Sequence, residues 1–310
     1  MKPSEYKEQV GLLLQVLPYV AEEGIFALKG GTAINLFHRD FPRLSVDIDL
    51  TYLPKEDRKT AMKGISDGLG RIQKALEGAI QGIRVTKLPQ SDGAEAKLLC
   101  QLGRTDIKVE VNTTLRGYLW EPVEMAVVDA VQDEFERFAA IRIVSKGELY
   151  GGKICAALDR QHPRDLFDIK ILLDEEGITE QVRLGFIASL LGSNKPLHEL
   201  LQPNLKDQRA AFKTKFEGMA TRPFTYEDFE TTRENLVSRV NDRLSDRDKE
   251  FFISFTTGDP DWSICPVNGL ESMPAIQWKL HNLRKLKEKN PAKRSDLQKR
   301  LIKCLGGNKS

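Results

Sequence analysis

FALKGGTAINLFHRDFPRLSVDIDL, residues 26–50, reads as a short apolar strand, a diglycine turn, an amphipathic helix, a loop and a second strand carrying two aspartates. In that second strand Asp47 and Asp49 alternate with Val46, Ile48 and Leu50. Residues two apart on a strand share a face, so both carboxylates point one way and the aliphatic side chains point into a core. Adjacent like charges repel and add nothing to a core. Either the pair holds a hard, oxygen-seeking cation such as Mg²⁺, or it is the acidic face of a solvated edge strand. Upstream, Gly30-Gly31 at a strand-to-helix turn lets backbone N–H groups approach an anion, and the helix opened by Thr32 favours negative charge at its start. The Thr32 hydroxyl adds a donor. No Lys-Ser/Thr pair follows at the Walker spacing, so this turn is not a P-loop.

Outward from this segment, Glu5–Tyr19 and Lys55–Ile80 have helical patterns, and Ile83–Leu88, Lys97–Leu102 and Asp106–Asn112 read as strands. In the last of these, Ile107, Val109 and Val111 alternate with Lys108, Glu110 and Asn112, the pattern of a half-buried strand. Glu110 is thereby placed mid-strand, where charge is normally avoided. Two acids on one strand and a third on another match the needs of a two-metal phosphoryl-transfer centre. Ser145 and Glu148 have capping-box spacing and open a helix to about Arg160, with Lys153, Ala157 and Arg160 on one stripe. Pro163 starts the next helix, with Asp165 and Asp168 on a shared face. Arg160, Arg164, Asp165 and Asp168 have an alternative reading as an ion-pair network tying the two helices together.

Beyond Gly177 the pattern is helical over Thr179–Leu191, Leu205–Phe216, Tyr226–Asp242, Asp248–Phe255 and Ala275–Glu288, joined by Pro/Gly-rich connectors. Trp278, Leu280 and Leu283 read as core. The expected division is a catalytic domain over 1–176 and a helical domain over 177–310. A chain of 310 residues is long enough for two such cores. No run of eighteen apolar residues and no signal-peptide start is visible, so neither a membrane span nor secretion is expected. Cys100, Cys155, Cys265 and Cys304 are scattered without metal-site spacing and read as reduced thiols of a cytoplasmic protein. From Ala275 onward eleven lysines and arginines face two acids, whereas the preceding residues are net acidic. A basic end on an acidic body suits an anionic macromolecule, or else marks helices with a solvated lysine-rich face.

Together these segments resemble the AbiEii/AbiGii-type nucleotidyltransferase toxins of the DNA-polymerase-β-like superfamily. The resemblance is carried by Lys29-Gly30-Gly31-Thr32-Ala33, by Arg43-Leu44-Ser45-Val46-Asp47-Ile48-Asp49-Leu50, and by Lys108-Val109-Glu110. It continues through Lys153 with Arg160, Arg164-Asp165-Leu166-Phe167-Asp168, and Pro274-Ala275-Ile276-Gln277-Trp278-Lys279-Leu280. It implies an α+β fold, with a polymerase-β-like nucleotidyltransferase core of mixed sheet flanked by helices, followed by an all-helical C-terminal domain. It also implies a toxin of type IV toxin–antitoxin or abortive-infection systems that moves a nucleotide from an NTP to RNA, in several relatives to the 3′ end of tRNA. A cognate antitoxin is implied as well, without need of direct contact. Two departures stand out: the superfamily's usual Gly-Ser is Gly31-Thr32 here, and its third carboxylate, often Asp, is Glu110.

The expected chemistry joins both lines. Asp47 and Asp49 hold Mg²⁺, and Glu110 completes a two-metal site or acts as base on the attacking 3′-hydroxyl. Gly30, Gly31, Thr32 and Ser45 position phosphates, Lys153 is a point charge for the triphosphate, and Asp165 orients Lys153 or contacts the nucleotide. The rivals are a phosphotransferase, a nucleotidyltransferase acting on protein or a small molecule, and a catalytically dead nucleic-acid-binding module.

Overall fold

The computed structural model describes residues 3–89 and 95–306. The end of the basic C-terminal stretch, 307–310 with Lys309, lies outside the described residues. Two compact units are formed: Met1–Ser145 with Phe212–Phe224, and Lys146–Ala211 with Thr225–Ser310.

The first unit opens with helix α1 (Pro3–Ala21), strand β1 (Phe26–Lys29) and the short helix α2 (Gly30–Ala33), which continues as a π-helical turn over Ile34–His38. Strand β2 (Asp47–Tyr52), helix α3 (Arg58–Ala79) and strands β3 (Ile83–Pro89), β4 (Glu95–Leu102) and β5 (Thr105–Asn112) follow. Strand β6 (Val123–Ala126), helix α4 (Asp129–Phe135) and strand β7 (Ala140–Ile143) close it; these three short elements had no counterpart in the expected pattern. The strands make one sheet in the order β3-β4-β5-β2-β1-β7-β6. It is mixed, with β2 antiparallel to β1 and parallel to β5. β2 is therefore a central strand, and the edge-strand reading of its aspartates is excluded. Its apolar residues Ile48 and Leu50 are fully buried. Tyr52, on that same face, runs against Gly64 of α3, where a Cβ would meet its hydroxyl at 2.2 Å. The helical layer thus covers the aliphatic face, and the carboxylates occupy the opposite one.

The second unit consists of helices α5 (Lys146–Arg160), α6 (Pro163–Glu175), α7 (Glu180–Gly192), α8 (Leu197–Leu201), α10 (Tyr226–Asp242), α11 (Asp246–Phe255), α12 (Pro274–Lys289) and α13 (Pro291–Cys304), with α9 (Arg209–Lys215) entered from it. The break between units falls just before α5, whereas the expected division fell after α6. The reason is visible in the packing of α5 on α7. A Cβ on Gly151 would lie 2.1 Å from the Gly185 carbonyl carbon, and one on Gly185 would lie 2.0 Å from the Gly147 oxygen. Glycines let these two backbones touch, which binds α5 to the helices that follow it.

Helix α9 is shorter than the expected Leu205–Phe216 because the residues before it are held by side chains. Gln161 Nε2 donates to Asn204 O at 2.8 Å, Lys206 N donates to Gln161 Oε1 at 2.9 Å, and Arg233 Nη1 donates to Lys206 O at 2.7 Å. These bonds satisfy the backbone without a helix. Trp278 departs from its expected place in the core. It is 52% exposed, while Leu280 beside it is buried as expected. Helical periodicity turns position 278 outward when Ile276 and Leu280 turn in.

Candidate active site

Four strands line up their polar residues through register. Lys29 of β1 pairs with Asp49 of β2, Asp49 with Glu110 of β5, and Glu110 with Lys97 of β4. Side chains at paired positions share a face, so the acids lie in a row bracketed by lysines. Asp47, two residues earlier, is in register with Lys108. Lys97 Nζ reaches Glu110 Oε2 at 2.7 Å. Among the described residues no group of three carboxylate, imidazole or thiol side chains is arranged to hold one ion. Asp47 and Asp49 are the adjacent pair, and Glu110 extends the row.

The diglycine turn closes directly on this row. Gly30 has φ +76°, and a Cβ there would stand 2.4 Å from Asp49 Oδ2. Glycine is needed here twice over, for the left-handed backbone and for the contact. A Cβ on Gly31 would meet Arg43 Nη2 at 2.7 Å and Ser45 Oγ at 3.0 Å. Thr32 and Ser45 are buried, 3.0 Å apart through their hydroxyls, and Thr32 Oγ1 donates to Asp47 O. Both hydroxyls brace the turn against the start of β2. Asn35 Nδ2 fixes the turn from the other side by donating to Gly31 O at 2.9 Å.

The loop that delivers β2 is itself supported. Leu44 N donates to Met219 O at 2.8 Å, and Thr221 N donates to Pro42 O at 2.9 Å. Phe212, Phe216 and Phe224 cluster with ring centroids 5.2–6.0 Å apart, anchoring the segment that supplies these contacts. Arg43, almost fully buried, donates to Leu44 O.

Lys153 and Asp165 belong to the second unit, where they meet each other. Lys153 Nζ lies 3.0 Å from Asp165 Oδ1 and 3.0 Å from Asp168 Oδ2, and all three side chains are buried. Arg160 adds a fork to Asp165 at 2.5 and 2.9 Å. The ion-pair network between the two helices is therefore real. Burial opposes ionisation of Asp165, but Lys153 and Arg160 outweigh it and hold its carboxyl well below the usual range. Asp165→Asn leaves Lys153 with Asp168 alone and removes the charge-assisted bonds from Arg160, so it should cost about 3 kcal/mol. A carboxyl depressed in the folded state stabilises above its unfolded pKa of about 4 and loses that effect as pH falls through the folded value. Urea melts of the two proteins should therefore converge as pH drops below about 4; a gap unchanged down to pH 2 would refute the pairing.

Lys29 belongs to the Lys29-Gly30-Gly31-Thr32-Ala33 motif, and only the structure places it opposite Asp49. Nothing local in the sequence marks it, because the pairing of β1 with β2 is set by tertiary contact.

A mixed sheet with paired aspartates on its central strand and a glycine turn against them is the architecture of a nucleotidyltransferase core. The sequence matches the family model "Nucleotidyl transferase AbiEii toxin, Type IV TA system" over residues 12–282, and the chain belongs to this family. The fold is similar to that of MenT4, a nucleotidyltransferase toxin from Mycobacterium tuberculosis H37Rv. That similarity has a TM-score of 0.61 at 14% identity, covering 91% of this chain and 93% of MenT4. No curated protein matches the sequence. Among the described residues no helix is long and apolar enough to cross a membrane.

Proposed function

We propose that this toxin-family nucleotidyltransferase transfers a nucleoside monophosphate from an NTP to RNA, with the 3′ end of tRNA as acceptor, and thereby blocks translation and growth. The observation that carries the reading is Gly30 lying against Asp49: a phosphate-accommodating turn and a carboxylate pair share one spot. Asp47 and Asp49 would offer only oxygen donors to an ion, which suits Mg²⁺. When bound there, Mg²⁺ supplies charge neutralisation of the triphosphate.

The chain's own groups do the rest. Backbone N–H groups at Gly30 and Gly31 face the phosphates, and Thr32 with Ser45 keeps the turn in place. Glu110, steered by Lys97, completes the acidic row or accepts the proton of the attacking 3′-hydroxyl. The new bond joins that oxygen to the α-phosphorus, and the bond to the β-phosphate oxygen breaks, releasing pyrophosphate. Within the second unit Asp165 holds Lys153 in position.

An RNA acceptor is supported by α12 and α13. Both are rich in lysine and arginine, and the exposed Trp278 stacks on His281 with ring centroids 5.7 Å apart. An exposed indole beside cations is a stacking platform for bases. Trp278→Ala should raise the KM for RNA roughly tenfold with the KM for NTP unchanged; equal KM values for RNA would remove this helix from the acceptor surface.

The reading is tested by incubating the protein with total tRNA, Mg²⁺ and each α-labelled NTP in turn. Label should enter tRNA from one or more NTPs and map to the 3′ end. Transfer of γ-label instead would make the protein a phosphotransferase, and label on protein alone would move the acceptor. Nucleotide and RNA binding with no transfer would make it a binding module.

A further inference from the structure

In the second unit a cavity of about 380 Å³ lies under the α12–α13 hairpin. Leu197 of α8, Phe255 of α11, Leu286 of α12 and Leu301 of α13 form apolar walls. Lys279, Lys293 and Arg294 line the same space, against one acid, Glu199.

The cations are not neutralised from within. Lys279 Nζ donates to two carbonyls, Ser193 O at 2.7 Å and Lys195 O at 2.8 Å. Among the described residues no carboxylate lies within ion-pairing distance of Lys279, Lys293 or Arg294. Burial pushes the Lys279 ammonium down to about 8, outweighing the opposing pull of Glu199. The Nε of Arg294 is buried with no acceptor among the described residues. A buried guanidinium N–H without an acceptor is costly and needs a partner. One water could accept from it, but a water fills only about 30 Å³. The space is within the range of small-molecule sites, about 300–1,000 Å³, and shares their make-up of apolar walls with a few polar groups.

We infer that this cavity binds a small organic anion with an apolar body, its acidic group on Lys279 and Arg294 and its body among the leucines. The sources of such chemistry are a nucleotide, whose base would lie among the leucines, and an acyl carboxylate. Neither use draws on the β2 carboxylates, so the site stands whether or not the proposed transfer reaction does.

The test uses the full chain and the fluorescent aromatic sulfonate 8-anilinonaphthalene-1-sulfonate. The expected result is saturable binding of one equivalent, weakened at least tenfold by Lys279→Met and by Arg294→Met. Arg294→Lys, which keeps a charge, should recover part of the loss, and Leu286→Trp should abolish binding by filling the space. Thermal melts identify any variant that has failed to fold, and the Leu286→Trp comparison holds even if one methionine variant is lost. Displacement of the probe by AMP identifies a nucleotide site, and displacement by decanoate an acyl site. Affinity unchanged across folded Lys279→Met, Arg294→Met and Leu286→Trp would overturn the assignment, as would the lack of any saturable binding.

Discussion

Gly185→Ala should destabilise the helical unit by several kcal/mol, although helix propensity alone favours the change by about 1 kcal/mol. The methyl group would enter at 2.0 Å from Gly147 O and 2.4 Å from its carbonyl carbon, and helical backbone cannot give way as a side chain can. Overpacking against side chains ordinarily costs about 1–3 kcal/mol. Here α5 and α7 must separate along their whole contact, which places the change among the exceptional destabilisations. Gly152→Ala is the matched control. It sits in the same helix α5, and its nearest neighbour to a new Cβ is Ser189 Oγ at 3.8 Å. That variant should be neutral or up to about 1 kcal/mol more stable. Urea melts followed by circular dichroism measure both. Equal midpoints for the two variants would show that the glycine contact does not organise the unit.

Asp49→Asn should reduce nucleotide transfer on the order of 1,000-fold while changing stability by less than about 1 kcal/mol. Asparagine is nearly isosteric, so it preserves the contact with Gly30 and the register with Lys29 and Glu110. What it removes is negative charge from the centre of the acidic row. Loss of several kcal/mol of transition-state stabilisation corresponds to about three decades in rate. Glu110→Gln should cost less, about 100-fold, the low end of what a positioned base contributes, because Lys97 already engages that carboxylate. Rates with saturating NTP and RNA distinguish the cases. Full activity of folded Asp49→Asn would leave the aspartates a structural role only.

The candidate site was legible wherever the signal was local. Alternation of Asp47 and Asp49 with Ile48 and Leu50 has a period of two, and the glycines stand at a strand-to-helix junction; both can be read along the chain. The alternation of Glu110 with Val109 and Val111 was equally readable. What joins these pieces is register, which depends on which strands pair. Lys29 facing Asp49, and Lys97 holding Glu110, are separated in sequence from their partners and carry no local mark. Strands β6 and β7 are four residues each, too short for periodicity to stand out. The break before α5 depends on Gly147 and Gly151 finding Gly185 on another helix. The spacing of four was present in the sequence, but only the partner gives it meaning. Trp278 shows the opposite error: an apolar side chain counted toward the core when its helix phase turned it outward.

The most direct measurement is a Mn²⁺ titration followed by electron paramagnetic resonance, with Mn²⁺ standing in for Mg²⁺, on the wild-type chain and on Asp47→Asn/Asp49→Asn. The titration is run with and without a non-hydrolysable NTP. Tight Mn²⁺ binding that requires the nucleotide and disappears in the folded double variant is the predicted result. Binding of the same stoichiometry and affinity in the double variant would contradict the proposed placement of the metal and triphosphate between the β2 aspartates and the glycine turn.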